Sequence, residues 1–256
     1  MTVINTNVNS LTAASALAVN ERNLSTAMER LSTGKRINGA KDDAAGQAIA
    51  SRMTAQIRGL DQAVRNSNDG ISMLQTADGA MEEVSNMLQR MRELAIQTAN
   101  DTNLSQDLVA MSVEYQALSS EITRINADTT WNGQDLFAAA TVSFQVGANS
   151  GDVVTVSITD FALTGSITTI GALDTDIDNI NSYRSALGAG INRLTYAANN
   201  ALSISTNTSA SRSRIVDTDY AKVSAELART QIVQQAATAM LAQANQGAQS
   251  VLALLK

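Results

Sequence analysis

Residues 42–99 read DDAAGQAIASRMTAQIRGLDQAVRNSNDGISMLQTADGAMEEVSNMLQRMRELAIQTA, 58 residues without a proline. The apolar positions Ile57, Leu60, Val64, Ile71, Leu74, Ala77, Met81, Val84, Leu88, Met91 and Ala95 are spaced by threes and fours, and Ser67 fills the slot between Val64 and Ile71. That is the period of one helix face; a strand would repeat every second residue. At 1.5 Å per residue the helix would run roughly 85 Å. A compact globule of this chain length has a radius of gyration of about 18 Å, hence a diameter near ~45 Å. A helix longer than the globule that should hold it predicts a rod. Gly59, Gly70 and Gly79 interrupt the stretch, each at a cost of about 1 kcal/mol against alanine, which close packing can offset. The opposite face carries Arg58, Asp61, Arg65, Asn68, Glu82, Gln89, Arg90 and Glu93, so the apolar face needs partners along its length.

Composition agrees with long helices. Average usage predicts roughly 13 prolines in a chain of this length, and there are none. Proline removes a helical hydrogen bond and clashes with the preceding turn, so its absence suits unbroken helices. Aromatics at 3% are too few for a large globular core, whereas Leu, Ile, Val, Met and Ala suffice for narrow helix seams. A net charge of −6 with no basic stripe argues against nucleic-acid binding. With no cysteine and no histidine, disulfides and thiolate metal sites are excluded, and the commonest acid–base residue is missing. No run of 18 apolar residues exists, so no membrane-spanning helix is expected. The opening MTVINTNVNS has neither a basic region nor an apolar one, so any export is expected to bypass a cleaved secretory signal.

Outward from this stretch, residues 9–33 read as a helix with Leu11, Ala14, Leu17, Leu24, Met28 and Leu31 on one side. Leu17, Leu24 and Leu31 recur every seven residues, the spacing of a helix–helix seam. Gly34 is a candidate left-handed cap, and Lys35–Lys41 is a short solvated connection containing the turn signal Asn38-Gly39. Asp42 and Asp43 then open the long helix, where carboxylates favour the positive N-terminal end. Asn100–Asn103 breaks that helix and caps another, whose seam is Leu104, Leu108, Met111, Tyr115, Leu118, Ile122 and Ile125. Val142, Phe144 and Val146 alternate with polar residues, as do Val154, Val156 and Ile158, around the turn cluster GANSG at 147–151; a hairpin is expected there. Helical spacing returns at 174–207, a serine-rich join is expected at 206–213, and 217–256 reads as a last amphipathic helix.

That last helix carries no charge from Thr230 to Leu255, so it needs other helices around it. The expected fold is mainly α: an elongated rod of long antiparallel, coiled-coil-like helices with a small β-hairpin region at about 136–171. The expected organisation is nested. Residues 1–41 with 214–256 form a terminal coiled-coil assembly domain, and residues 42–213 a helical rod domain. The assembly seams are Leu17, Leu24, Leu31, Ile232, Leu241, Val251, Leu252 and Leu255.

Sites for chemistry are sparse. The Asp42-Asp43 pair reads as a helix start, since no nucleophile–base pair, metal cluster or phosphate loop accompanies it. Met81, Met87, Met91 and Met111 read as seam filling. The Asn-x-Ser/Thr triplets at Asn23, Asn100, Asn103 and Asn207 require the secretory route to matter. No enzyme activity and no cofactor are expected.

Three stretches carry a resemblance: ERLSTGKRINGAKDDAAG at 29–46, LQRMRELAIQTAN at 88–100 and QIVQQAATAMLAQANQ at 231–246. With the two chain ends, they make the sequence resemble bacterial flagellin. It departs from that pattern at Gln47, where the family commonly has leucine, and at Gly247-Ala248, where proline is common. The resemblance implies a short flagellin without outer domains. It would self-assemble as a homopolymer into the extracellular flagellar filament, its paired chain ends lining the channel. It implies unfolded export through the flagellar channel, an export chaperone, and cap and junction proteins as partners. It also implies host flagellin receptors. By resemblance, the plant receptor kinase would read Glu29–Ala50, including Asp42, Asp43 and Gly46. The animal Toll-like receptor would read Leu88, Gln89, Arg90, Glu93 and Leu94 with Glu114. A hook–filament junction protein of the same architecture, or a helical signalling or adaptor protein, stands as the alternative.

Overall fold

In a computed structural model describing residues 6–138 and 141–253, with side chains through Gln246, the chain is mainly helical. The described elements are α1 (Val8–Thr33), α2 (Ala44–Thr98), α3 (Ser105–Asp128), β1 (Thr130–Trp131), β2 (Gln134–Asp135), β3 (Val142–Gln145), β4 (Val153–Val156), α4 (Ile170–Val216) and α5 (Tyr220–Ala253). They divide into two compact units, Met1–Thr54 with Thr208–Lys256, and Ala55–Asn207.

In the first unit α1 pairs with α5. Asn7 starts α1, its side-chain oxygen accepting the Ser10 N–H at 3.1 Å. Gly34 ends it at φ 68°, a left-handed conformation that costs glycine nothing. Leu17, Asn20, Leu24, Ala27 and Leu31 form the seam, Asn20 and Ala27 buried and the three leucines partly so. Three bonds fix its direction and register. The Asn7 side-chain amide donates to the Ala244 carbonyl at 2.9 Å, the Asn20 amide to the Thr230 carbonyl at 2.8 Å, and the Thr218 N–H to the Gly34 carbonyl at 3.0 Å. Partners on α1 rise as those on α5 fall, so the pair is antiparallel. A buried polar residue in a seam costs stability but selects one register, the role that Asn20 fills.

Several expectations are corrected here. Leu11 and Met28 are exposed and Ala14 lies off the seam. On α5, Val223, Leu227, Thr230 and Leu241 turn toward α1, while Ile232 lies on another face, 66% exposed. Leu255 lies outside the described residues, as do the side chains of Val251 and Leu252. The Lys35-Arg36 connection is tied down rather than free. Lys35 bridges to Asp217, the Arg36 N–H donates to the Val216 carbonyl at 2.6 Å, and its guanidinium donates to Ile215 at 2.7 Å. Arg36 thus satisfies carbonyls that end α4, where a cation is favoured.

The second unit holds a continuous core. Leu74, Leu88, Met91, Leu94, Ile122, Leu136, Ile158, Leu173, Ile180 and Leu194 are all nearly inaccessible. Ser67 fills its slot on the α2 face, its hydroxyl donating to the Ala63 carbonyl at 2.8 Å. Gly70 is required by packing, since a Cβ there would meet the Phe144 ring at 2.8 Å. The hairpin of β3 and β4 pairs Val142 with Val156 and Phe144 with Val154, and its buried face leans on the helices. Sequence reading missed a second hairpin, β1–β2, whose two-residue strands are too short to show a period. Its turn is Asn132-Gly133, at φ 51° and 78°, the left-handed pair of a type I′ turn.

Helix ends differ from expectation in two places. Asn103 closes α2 by donating to the Gln97 carbonyl at 2.6 Å, while Asp107 caps α3 by accepting the Leu104 N–H at 3.0 Å. Residues 206–213 are not a join: α4 continues to Val216. No glycine or proline interrupts them, and Thr206 bonds back to the Leu202 carbonyl, which a helix tolerates. Asp176 is fully buried, and its carboxyl oxygens are satisfied: they accept from the Thr164 N–H, the Thr164 hydroxyl and the Gly165 N–H at 3.0, 2.6 and 2.8 Å.

Candidate assembly and recognition surfaces

Pairing of α1 with α5 leaves apolar side chains uncovered on both helices. On α5 Ile232, Val233 and Met240 are 66%, 43% and 65% exposed; on α1 so are Leu11, Val19 and Met28 at 61%, 45% and 57%. Ile232, Ala236 and Met240 follow each other at steps of four, one stripe of the helix. α5 therefore has two apolar faces, and α1 covers one.

The same unit holds Asp42, Asp43 and Gly46. The Asp42 carboxylate turns back to the preceding loop, accepting the Asn38 N–H at 3.1 Å and the Gly39 N–H at 3.2 Å. Those bonds hold its carboxyl below the usual carboxylate range. Only Asp43 starts α2, accepting the Gly46 N–H at 2.8 Å. Gly46 is buried against Asp43 and Ile37, with no room for a Cβ. The folded unit closes over Gly46.

In the second unit Arg90 bridges two helices' carboxylates. Its Nε donates to Glu114 on α3 at 2.8 Å, and its Nη1 to Glu93 one turn along α2 at 3.0 Å. These hydrogen bonds, Glu114 first, push the guanidinium pKa upward. All three side chains remain about half exposed or more, at 49%, 45% and 68%, and Gln89 is exposed beside them. Such exposed pairs are screened by water and contribute little to stability, so the geometry is a surface feature and not a brace. Leu88 and Leu94 lie in the core, 0% and 1% exposed. Four-residue spacing does place Leu94 near Arg90. However, α2 buries Val84, Ser85, Leu88, Met91, Leu94 and Ala95 together, an arc wider than one stripe. It is that wide because side chains of α3, of residues 136–161 and of α4 share one cluster with it. The apolar group offered beside Glu93 is Ile96, 47% exposed, which sequence reading passed over because it falls outside the seam period.

Among the described residues, no group of three acidic, histidine or cysteine side chains could hold a metal, and no helix is long and apolar enough to cross a membrane. The first and last helices pair and leave apolar faces uncovered, and these surfaces are the candidate sites of the molecule.

Residues 4–142 match the bacterial flagellin N-terminal helical region, and residues 170–255 the C-terminal helical region. The chain is 46% identical to flagellin of Halalkalibacterium halodurans, across 99% of this chain and all of that one. It is 32% identical to flagellin A of Vibrio anguillarum across 99% of both, in an alignment of 375 positions that runs well past this chain's own 256 residues. The crystal structure of Bacillus cereus flagellin matches 54% of this chain and 88% of its own, at 34% identity and a TM-score of 0.49. The chain belongs to the bacterial flagellin family, in a short form without large outer domains. It is a structural subunit of the extracellular flagellar filament, and polymerisation follows from that family.

Proposed function

We propose that the paired ends, residues 1–41 with 214–256, are the assembling layer of this subunit and that its work is mechanical, with no enzymatic step and no cofactor. The chain is exported unfolded through the flagellar channel, accompanied by an export chaperone and placed with cap and junction proteins. The observation that carries this reading is the second apolar face of α5. Ile232, Val233 and Met240 remain exposed after α1 is seated, and contiguous apolar surface marks an interaction site. The test is the double variant Ile232→Asp, Met240→Asp. Its monomer should keep the parent's helical circular dichroism, and electron microscopy should find no filaments. Normal filaments from this variant would overturn the assignment.

Host recognition is the second part of the proposal. An exposed cluster of Gln89, Arg90, Glu93 and Glu114 supports it, with Leu88 and Leu94 acting beneath as the packing that holds α2 in place. Assembly and receptor compete for this helix surface, so disassembled protein is the form that signals.

A further inference from the structure

Two Asn-Gly steps occur in the sequence, Asn38-Gly39 and Asn132-Gly133, and the fold treats them oppositely. At the first, the Gly39 N–H donates to the Asp42 carboxylate at 3.2 Å, and the Asn38 side-chain amide donates to the Lys35 carbonyl at 3.2 Å. Both reacting groups of the step are held. At the second, both residues are exposed, and nothing stands within 4 Å of where a Gly133 Cβ would be. Among the described residues, neither the Asn132 side chain nor the Gly133 N–H has a hydrogen-bond partner. The flanking strands β1 and β2 have two residues each, all exposed, so opening the turn costs little.

We propose that Asn132 is a spontaneous modification site, converting to aspartate and isoaspartate in the folded protein, while Asn38 is protected by Asp42. Hydroxide or water takes the Gly133 amide proton, and that nitrogen attacks the Asn132 side-chain carbonyl carbon. The Cγ–Nδ2 bond breaks, and the leaving amide takes a proton to depart as ammonia, giving a five-membered succinimide. Water then adds to either carbonyl and breaks its bond to the ring nitrogen. Cleavage at Cγ leaves aspartate; cleavage at the backbone carbonyl leaves isoaspartate, whose main chain runs through Cβ and Cγ. The net change is one water consumed and one ammonia released, with no redox partner. Glycine is needed after the asparagine because any side chain there would crowd the attacking nitrogen. The product places a carboxylate next to Trp131, the chain's single tryptophan, which provides a local optical signal.

The test incubates the intact folded protein at mildly alkaline pH and follows both sites by tryptic mapping with fragmentation. Isoaspartyl methyltransferase labels the isoaspartate. Cleavage after arginine and lysine separates the sites into the peptides Ile125–Arg184 and Ile37–Lys41. Asn132 should convert about tenfold faster than Asn38 or more, because a protected site reacts only through local opening. In concentrated urea the two should convert at comparable rates. Asp42→Ala should accelerate conversion at Asn38 in the folded protein and leave the Asn132 rate unchanged, which also reports that the fold persists. Equal rates at the two sites in folded protein, or an inert Asn132 while urea-unfolded chains convert, would overturn the assignment.

Discussion

The two units of this chain use the same helical spacing and end in different states. In the second, most of the apolar face of α2 is buried, with Val64 and Ile71 only partly so, and Leu74, Leu88, Met91 and Leu94 are each 1% exposed or less. In the first, the seam leucines of α1 are only partly buried, a buried Asn20 interrupts them, and large apolar residues on both helices stay uncovered. One unit closes a core along α2, although Leu104, Val109, Val113 and Leu202 of the same unit stay exposed. The other closes a single, partly buried seam between two helices and leaves Ile232 and Met240 uncovered beside it. A subunit that must fold first and polymerise afterwards needs both kinds of region, since a fully satisfied end would have no reason to associate.

The largest expected effect tests that contrast directly. Leu88→Ala should cost about 2–5 kcal/mol of stability, the range for emptying a closed core. Leu24→Ala, in the open seam, should cost the monomer about 1 kcal/mol, in proportion to the smaller area it buries. Denaturant unfolding followed by circular dichroism would resolve the two, and equal losses would break the distinction between closed and open cores. In filaments the Leu24 variant should suffer more than in the monomer, because neighbours complete its surroundings.

Much of this was legible in the sequence, for a physical reason. Leu17, Leu24 and Leu31 repeat every seven residues, and Ser67 holds a slot in a three-and-four series, so each announces its own face. The alternation of Val154, Val156 and Ile158 announced the hairpin in the same way. What could not be read was which of two candidate faces a helix would bury. α5 offers Leu227 and Leu241 on one side and Ile232 and Met240 on another, and only the partner helix decides between them. For Leu94 the limit was width: a single-stripe reading cannot show that a helix is covered from several sides. Asp176 was missed because its three donors, from Thr164 and Gly165, come from loop backbone and one hydroxyl, which carry no periodic signal. Arg36 and Asp42 were misjudged for a related reason, since both serve backbone groups in folded loops.

A smaller effect separates the surface of the second unit from its core. Arg90→Ala removes bonds to Glu114 and Glu93 that are half exposed, so the monomer's denaturant midpoint should stay close to the parent's. Receptor activation by that monomer, read in a reporter cell assay, should nevertheless fall clearly below the parent's. Leu94→Ala should lower signalling only in step with its loss of folded protein. If Arg90→Ala signals at the parent's level, or if Leu94→Ala loses signalling while fully folded, the assignment of exposed contact and buried support is reversed.

The smallest effect lies in the first unit and is set by pH. Asp42 accepts the N–H groups of Asn38 and Gly39, and these bonds depress its folded pKa. The unfolded chain lacks them, so its carboxyl titrates in the usual range. A depressed folded pKa gives stability that is fully present above the unfolded value and is lost as pH falls through the folded one. The second unit shares the acid limb, because Glu121 is likewise depressed by its bond to Arg124. Global unfolding would therefore mix the two units. The amide protons of Asn38 and Gly39 do not, since each points at the titrating carboxylate. Their NMR shifts should move together with a midpoint below the usual carboxylate range and should stay flat in Asp42→Asn, where the charge is absent. A midpoint at or above the ordinary value would mean that the loop of the first unit is as open in solution as its apolar faces, with Asp42 no longer gripping it.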